Sequence, residues 1–188
     1  MRQIVRSLVA LIVFTVLLGF GYTLAVSGIA ALAWPDQAGG SLVERDGEPV
    51  GSKLLAQPFS GDGNFWPRPS VSGYNADPAL DPTARALSYP SNLGPLNPDL
   101  RAAIAERVAI YGEGVPVDLV TGSGSSLDPH ISVAAARWQV ARVAEARNIS
   151  EADVHALIDR HIESWLGRRY VNVLMLNLAL EEMAGTSQ

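Results

Sequence analysis

Residues 7–35, SLVALIVFTVLLGFGYTLAVSGIAALAWP, run for 29 positions without a charge. As a helix rising about 1.5 Å per residue they extend roughly 43 Å, and a bilayer core of roughly 30 Å takes about 20 residues. Fourteen Leu, Val, Ile or Phe side chains lie between Leu8 and Ala33. At about −0.3 to −0.6 kcal/mol each, they supply about −4 to −8 kcal/mol of insertion free energy with no charged group opposing. The stretch therefore predicts a transmembrane helix over 8–33, preceded by a short N-terminus over 1–7 and followed by one domain over 34–188. Arg2 and Arg6 precede the helix while Asp36 and Glu44 follow it. By the positive-inside rule the N-terminus is cytoplasmic and the domain extracytoplasmic, with Trp34 at the interface.

A cleaved signal peptide is the competing reading, because Ala31-Leu32-Ala33 has the small-x-small form of a cleavage site. The apolar run is much longer than the 7–15 residues of a signal core, which favours a retained anchor. Both readings send the domain to the same side. Within the helix, Gly21, Ala25 and Gly28 make a small-residue stripe. Such stripes allow another helix to approach closely in lipid, although Gly and Ala are also common in membrane helices.

The chain has 188 residues, no cysteine, and 14 basic against 19 acidic side chains. Two of the basic residues precede the apolar run, so the remainder holds 12 against 19, a balance of −7. An acidic domain with scattered arginines repels phosphate backbones, which argues against nucleic-acid binding. Without cysteine there is no disulfide scaffold, thiol nucleophile, thiolate zinc site or lipid-modified cysteine.

Beyond the anchor the pattern predicts a mixed α+β domain. Arg45-Asp46-Gly47-Glu48 separates two apolar runs and reads as a hairpin turn, since glycine tolerates positive φ. Residues 57–98 hold too many prolines for a helix or central strand, yet Phe59, Phe65, Trp66, Tyr74 and Tyr89 need cover. A loop of that length is functional or disordered. Asn97 with Pro98 and Asp99 starts a helix whose buried face is Leu100, Ile104, Val108 and Tyr111, ended by Gly112. Val115 to Val120 reads as a strand. Ser132 caps a helix with Val133, Ala136, Val140 and Val143 inward. Ser150 and Asp153 form a capping-box variant. They open a helix carrying Val154, Leu157, Ile158, His161, Ile162 and Trp165 on one face, closed by Gly167. From Tyr170 to Leu180 strand and helix both remain open.

Ser123, Ser125, Ser126, Asp128 and His130 supply every residue type of a serine hydrolase, with Asp128 able to orient His130. There is no Gly-x-Ser-x-Gly elbow, however, and Asp128-Pro129 reads equally as a turn. Thr121 to Ser126 also resembles a phosphate cradle after a strand, but it lacks a Gly-Lys-Ser/Thr ending and any basic residue. Thr121, Ser123, Ser125, Asp128 and His130 stay as weak candidates for binding a cofactor. No metal site is expected, because His130 stands alone and His155 and His161 are six residues apart. His161 instead reads as a hydrogen-bonded core residue. Asn148-Ile149-Ser150 is a formal glycosylation sequon that also simply joins two helices.

The loops carry a run of distinctive stretches: Gln57-Pro58-Phe59, Phe65-Trp66 with Arg68-Pro69-Ser70, Tyr74-Asn75, and Ser91-Asn92-Leu93-Gly94-Pro95 with Asn97-Pro98. They continue through residues 115–121, through Leu127-Asp128-Pro129-His130-Ile131-Ser132, and through Val171-Asn172-Val173-Leu174, Leu176-Asn177 and Ala179-Leu180. Taken together, in this order, they resemble the C subunit of the Kdp potassium-transporting P-type ATPase of bacteria and archaea. Departures are local. Gly122 and Ser126 stand where the family more often has Ala and Gly, Val133 replaces a frequent Pro, and Tyr89-Pro90 replaces glycines. Arg168-Arg169-Tyr170 replaces Glu-Pro-Arg.

The resemblance implies a non-catalytic subunit of a bacterial inner-membrane pump. Its partners would be a potassium-channel-like A subunit, an ATP-hydrolysing B subunit and a small F subunit. The C subunit is described as a catalytic chaperone that raises the ATP affinity of the B subunit. No cofactor of its own is expected, and ATP only in complex with that subunit. An extracytoplasmic domain cannot touch cytoplasmic ATP, so such an effect would pass through subunit contacts. The contact candidates are Gly21, Ala25 and Gly28 in the helix and Trp66, Arg68, Tyr74, Tyr89 and Asn92 in the loops. The alternative is a membrane-anchored hydrolase or ligand-binding module using the Thr121–His130 loop.

Overall fold

The apolar run forms an uninterrupted helical rod in the computed structural model, which describes residues 1–72 and 87–185. Helix α1 (Arg2–Phe14) passes into a π-helical stretch over Thr15–Tyr22 and then into α2 (Thr23–Ala33). The helix thus begins six residues before the expected span over 8–33. It is 32 residues long and apolar enough to cross a membrane, with none of its most apolar window buried. The widened stretch contains Gly19 and Gly21, and the Thr23 hydroxyl donates to the Leu18 carbonyl five residues back. One π turn alters the rotation between Gly21 and the pair Ala25 and Gly28. A short helix, α3 (Pro35–Ala38), follows.

The chain divides into two units, Met1–Leu42 and Val43–Gln188. Next along the chain come β1 (Leu42–Arg45) and β2 (Glu48–Ser52), a two-stranded sheet. Asp46 and Gly47, at φ 54° and 83°, take the positive φ pair that a tight type I′ turn requires. The Pro-rich segment that follows carries no regular element among its described residues, yet Phe65 is fully buried. Tyr74 lies outside the described residues.

Helix α4 (Pro98–Tyr111) starts where the Asn97 side chain accepts the Asp99 amide at 2.8 Å, with Pro98 in the first turn, and stops at Gly112, φ 92°. Its stripe of Leu100, Ile104, Val108 and Tyr111 is only half-buried. The expected strand over Val115 to Val120 is instead a single helical turn, α5 (Val117–Val120). Pro116 fixes the entry, and both the amide and the hydroxyl of Thr121 fold back onto the Val117 carbonyl, at 2.9 and 2.7 Å. β-branched composition suggested extension; local capping overrode it.

The core lies between a three-stranded antiparallel sheet and a helical layer. Strand β3 (His130–Ser132) leads into α6 (Val133–Trp138) and α7 (Val140–Arg147). The Ser132 hydroxyl accepts the Ala135 amide at 3.1 Å as a helix cap. Helix α8 (Glu151–Arg160) begins where Ser150 accepts the Asp153 amide, while its hydroxyl donates to the Asp153 carboxylate at 2.6 Å. The expected helix does not continue through Trp165. It ends at Arg160, and β4 (Ile162–Trp165) turns through Leu166-Gly167 into β5 (Arg168–Asn172). Ile158 to Ile162 and His161 to Trp165 are four apart, so they fit a helical stripe. Gly167 at φ 76° serves a hairpin as well as a helix end. Trp165 is consequently 68% exposed rather than buried.

Sheet order is β3-β5-β4, with Ile131 opposite Val171 and Ile162 opposite Val171 on the core side. The open region after Tyr170 resolves into the end of β5 and a helix, α9 (Val173–Gly185). Val143, Val154, Ile158, Val171, Leu176 and Leu180 are among the fully buried residues where sheet and helices meet. His161 is half-buried, its Nδ1 2.9 Å from the Leu157 carbonyl.

Candidate functional site

Two features of the second unit concentrate polar chemistry. The first holds the Pro-rich loop in place. The Asn177 carboxamide on α9 accepts the Phe65 amide at 2.7 Å and donates to the Phe65 carbonyl at 2.9 Å. Gln139, between α6 and α7, does the same for Trp66, accepting its amide at 2.7 Å and donating to its carbonyl at 3.1 Å. Both amides are buried, so each replaces the strand that this backbone lacks. The Arg142 guanidinium donates to Gln139 at 2.7 Å and stacks 3.8 Å above the Trp66 ring. Tyr111 meets that ring edge-on, with centroids 5.7 Å apart. Burial raises the Tyr111 hydroxyl above its ordinary pKa against the Arg142 and Arg107 charges, and burial lowers Arg142.

The second feature is the Thr121–His130 loop with the cleft beside it. Ser126 is fully buried at φ 61°, accepting the Val71 amide at 3.2 Å and donating to the Tyr89 carbonyl at 2.7 Å. Ser123 and Ser125 bond each other at 3.1 Å and accept amides of Asp128 and Leu127. Pro69 and Ser70 stitch the Pro-rich segment to the same loop, through Ser123 N–H and the Ser126 carbonyl. The serine hydroxyls are thus spent on loop backbone and on one another, and none bonds to His130. Thr121 is occupied in ending α5, and since no strand precedes it the strand-to-loop cradle does not form.

Asp128 and His130 do meet, Oδ1 to Nδ1 at 3.2 Å, and the other carboxylate oxygen takes Arg68 at 3.0 Å. Burial alone would raise the Asp128 carboxyl. The hydrogen bonds from the His130 ring and backbone amide, with the Arg68 charge, outweigh it and hold the group below the ordinary carboxylate range. The His130 ring packs edge-on against Tyr170 at 4.6 Å. Asp118 accepts the Ser132 amide at 2.7 Å. These residues, with Trp165, Arg168 and Arg169, line an open cleft of about 300 Å³. Among the described residues no cluster of His, Asp and Glu could hold a metal.

Of the loop contact candidates, Trp66 and Arg68 are half-buried, the Trp66 indole donating to the Gly61 carbonyl at 2.8 Å and Arg68 pairing with Asp128. Tyr89 is 43% exposed and Asn92 is exposed at φ 56°. In the apolar rod Gly21, Ala25 and Gly28 are exposed. Sequence reasoning passed over Gln139 and Arg142. The signal was a glutamine in register with buried Ala135, Ala136 and Val140, where an amide is tolerated only with partners.

The comparisons with known proteins agree along nearly the whole chain. A profile described as KdpC, K+-transporting ATPase, c chain, matches residues 4–182. The potassium-transporting ATPase KdpC subunit of Sorangium cellulosum is 52% identical over 186 residues, covering 93% of this chain and 95% of that protein. The subunit of the same name from Mycobacterium tuberculosis H37Rv is 48% identical over 194 residues, covering 97% and 99%. That from Cereibacter sphaeroides (ATCC 17023) is 46% identical over 189 residues, covering 96% and 97%. With a match that runs from the apolar helix into α9, the chain belongs to the KdpC family, the c chains of K+-transporting ATPases.

Proposed function

We propose that this chain is an accessory, non-catalytic subunit of an ATP-driven potassium uptake pump of the bacterial inner membrane. The observation that carries the reading is the near-full-length identity to KdpC subunits. The 32-residue apolar helix crosses the membrane once, with Arg2 and Arg6 on the cytoplasmic side and residues 34–188 outside. The partners are the potassium-channel-like A subunit, the ATP-hydrolysing B subunit and the small F subunit. Gly21, Ala25 and Gly28 offer a close-packing helix face to one of them. The outer domain caps the entrance of the A subunit through the Pro-rich loops, with Tyr89 and Asn92 at the contact. By that contact it stabilises the complex and raises the ATP affinity of the hydrolysing subunit as a coupling between sites, without binding ATP itself. The net charge of −7 enriches cations near the entrance only modestly, since screening acts over about 8 Å.

A pull-down in mild detergent with mass identification of partners tests the reading; recovery of the chain alone overturns it. Reporter fusions at the C-terminus test the topology, and activity only in the cytosol refutes the outer placement. Substituting Asp128 and His130 separates a subunit from an anchored hydrolase. A subunit loses assembly or stability, while a hydrolase loses turnover and stays assembled.

A further inference from the structure

The β4–β5 hairpin ends in Trp165-Leu166-Gly167-Arg168-Arg169. Leu166 and Gly167 reverse the chain in two residues, at φ 47° and 76°, with Trp165 opposite Arg168 and Ser164 opposite Arg169. Trp165 is 68% and Leu166 80% exposed, so the two largest apolar side chains of the tip are uncovered. The hairpin is nevertheless rigidly founded, because Ile162 and Val171, two to three residues deeper, pair across the strands and join the core.

Charge at the tip is equally distinct. In the second unit Arg45, Arg68 and Arg137 pair with carboxylates, Arg107, Arg142 and Arg147 donate to carbonyls, and Arg101 and Arg160, without such a partner among the described residues, stand singly on separate helices. The side chains of Arg168 and Arg169 meet no hydrogen-bond or ion-pair partner among the described residues. The carboxylates that share their cleft are engaged elsewhere, Asp118 with the Ser132 amide and Asp128 with Arg68 and His130. Two adjacent unpaired guanidiniums therefore flank two bare apolar side chains, in a domain that is acidic as a whole.

We propose that this tip docks on the headgroup layer of a membrane containing anionic phospholipid. Arg168 and Arg169 take phosphodiester oxygens, and Trp165 and Leu166 enter the boundary between headgroups and acyl chains. Guanidinium forks suit phosphate oxygens, and an indole suits a layer that is apolar on one side and wet on the other. An acidic protein surface would satisfy the arginines but offers no apolar layer for both neighbouring side chains; a bilayer interface supplies the two together. The lipid surface is also close at hand. Only nine residues lie between Ala33, the end of the apolar helix, and Val43. That segment spans at most about 36 Å, which holds the domain near the bilayer at high effective concentration. The inference rests on insertion of the apolar helix and not on which side of the membrane the domain occupies.

The absence of cysteine makes a clean test possible. Leu166→Cys and, as a remote control, Glu113→Cys in the full chain are each labelled with an environment-sensitive fluorophore. They are reconstituted in phosphatidylcholine vesicles with or without phosphatidylglycerol and probed with nitroxide-labelled lipid. Circular dichroism confirms an unchanged fold. Expected is several-fold stronger lipid quenching at position 166 than at 113, only with phosphatidylglycerol and weakened by salt. Arg168→Ala and Arg169→Ala should each lower the docked-to-free ratio roughly fivefold. Equal quenching at the two positions overturns the proposal, as does quenching at 166 that is the same in pure phosphatidylcholine. Shielding of position 166 that appears only when other subunits are bound identifies a protein contact and overturns it too.

Discussion

Asn177 and Phe65 are 112 residues apart in sequence, yet the carboxamide of one closes both backbone hydrogen bonds of the other, at 2.7 and 2.9 Å, in a fully buried setting. An irregular segment is thereby held as firmly as a strand in a sheet.

Replacing Asn177 by Leu keeps the volume and strands a buried amide and a buried carbonyl. Each unsatisfied group costs about 1–3 kcal/mol, so the variant should lose about 2–5 kcal/mol. Gln139→Leu should lose less, because Trp66 is only half-buried. Urea denaturation of both variants in detergent checks the order; equal and small losses would show that the loop is held by apolar packing alone.

Ser126 combines a strained backbone with a useful hydroxyl. At φ 61° a non-glycine residue costs about 1–2 kcal/mol, while its Oγ makes bonds to Val71 and Tyr89. Ser126→Gly relieves the strain as it loses the bonds, and Ser126→Ala loses the bonds and keeps the strain. The alanine variant should therefore be less stable than the glycine variant by about 1 kcal/mol, read from the difference in thermal midpoint.

Asp128 makes the Thr121–His130 loop sensitive to acid. Its carboxyl is held below the ordinary value, so between the folded and unfolded pKa the unfolded chain binds more protons. Its stabilisation is complete above about pH 4 and is lost as pH falls through the lowered folded value. Asp128→Asn should lower stability at neutral pH and flatten the stability profile below about pH 4. Thermal melts from neutral to acid conditions give the comparison, and an unchanged profile would assign the acid sensitivity to other carboxylates.

Gly51 in β2 has no room for a methyl group. A Cβ there runs into the Gln57 amide nitrogen and comes 2.9 Å from Leu174 Cδ2. Gln57 is not free to swing away without giving up its 2.8 Å bond to the Val50 carbonyl. Gly51→Ala should destabilise by about 1–3 kcal/mol, an overpacking cost measurable by denaturant titration. Gly47→Ala, with nothing within 4 Å, should act through its positive φ alone.

Features governed by short-range rules were legible in the residues themselves. The Asp46-Gly47 turn and the caps at Asn97, Ser132 and Ser150 depend on neighbours within four positions, and they formed as expected. The apolar rod was legible because its composition leaves one solution. What misled was overlap between periodicities. A spacing of four in His161–Trp165 satisfied a helix, while the flanking Gly167 satisfied a hairpin equally well. Val115 to Val120 was β-branched, but Pro116 and Thr121 closed it into a turn. Strand β3 is three residues long and exists because β5 pairs with it, which no local pattern announces. The Asp128–His130 contact could be foreseen from proximity. The consumption of the serines by Val71, Tyr89 and the loop's own amides could not, since it depends on where a distant segment runs.

The two carboxamides that grip Phe65 and Trp66 sit on different helices, Asn177 in α9 and Gln139 at the α6–α7 junction. A pull on the loop is therefore shared at once between two parts of the interior, and a sliding of those helices against one another would twist the loop in return. The segment works less like a ribbon trailing from the surface than like a lever with two fulcra.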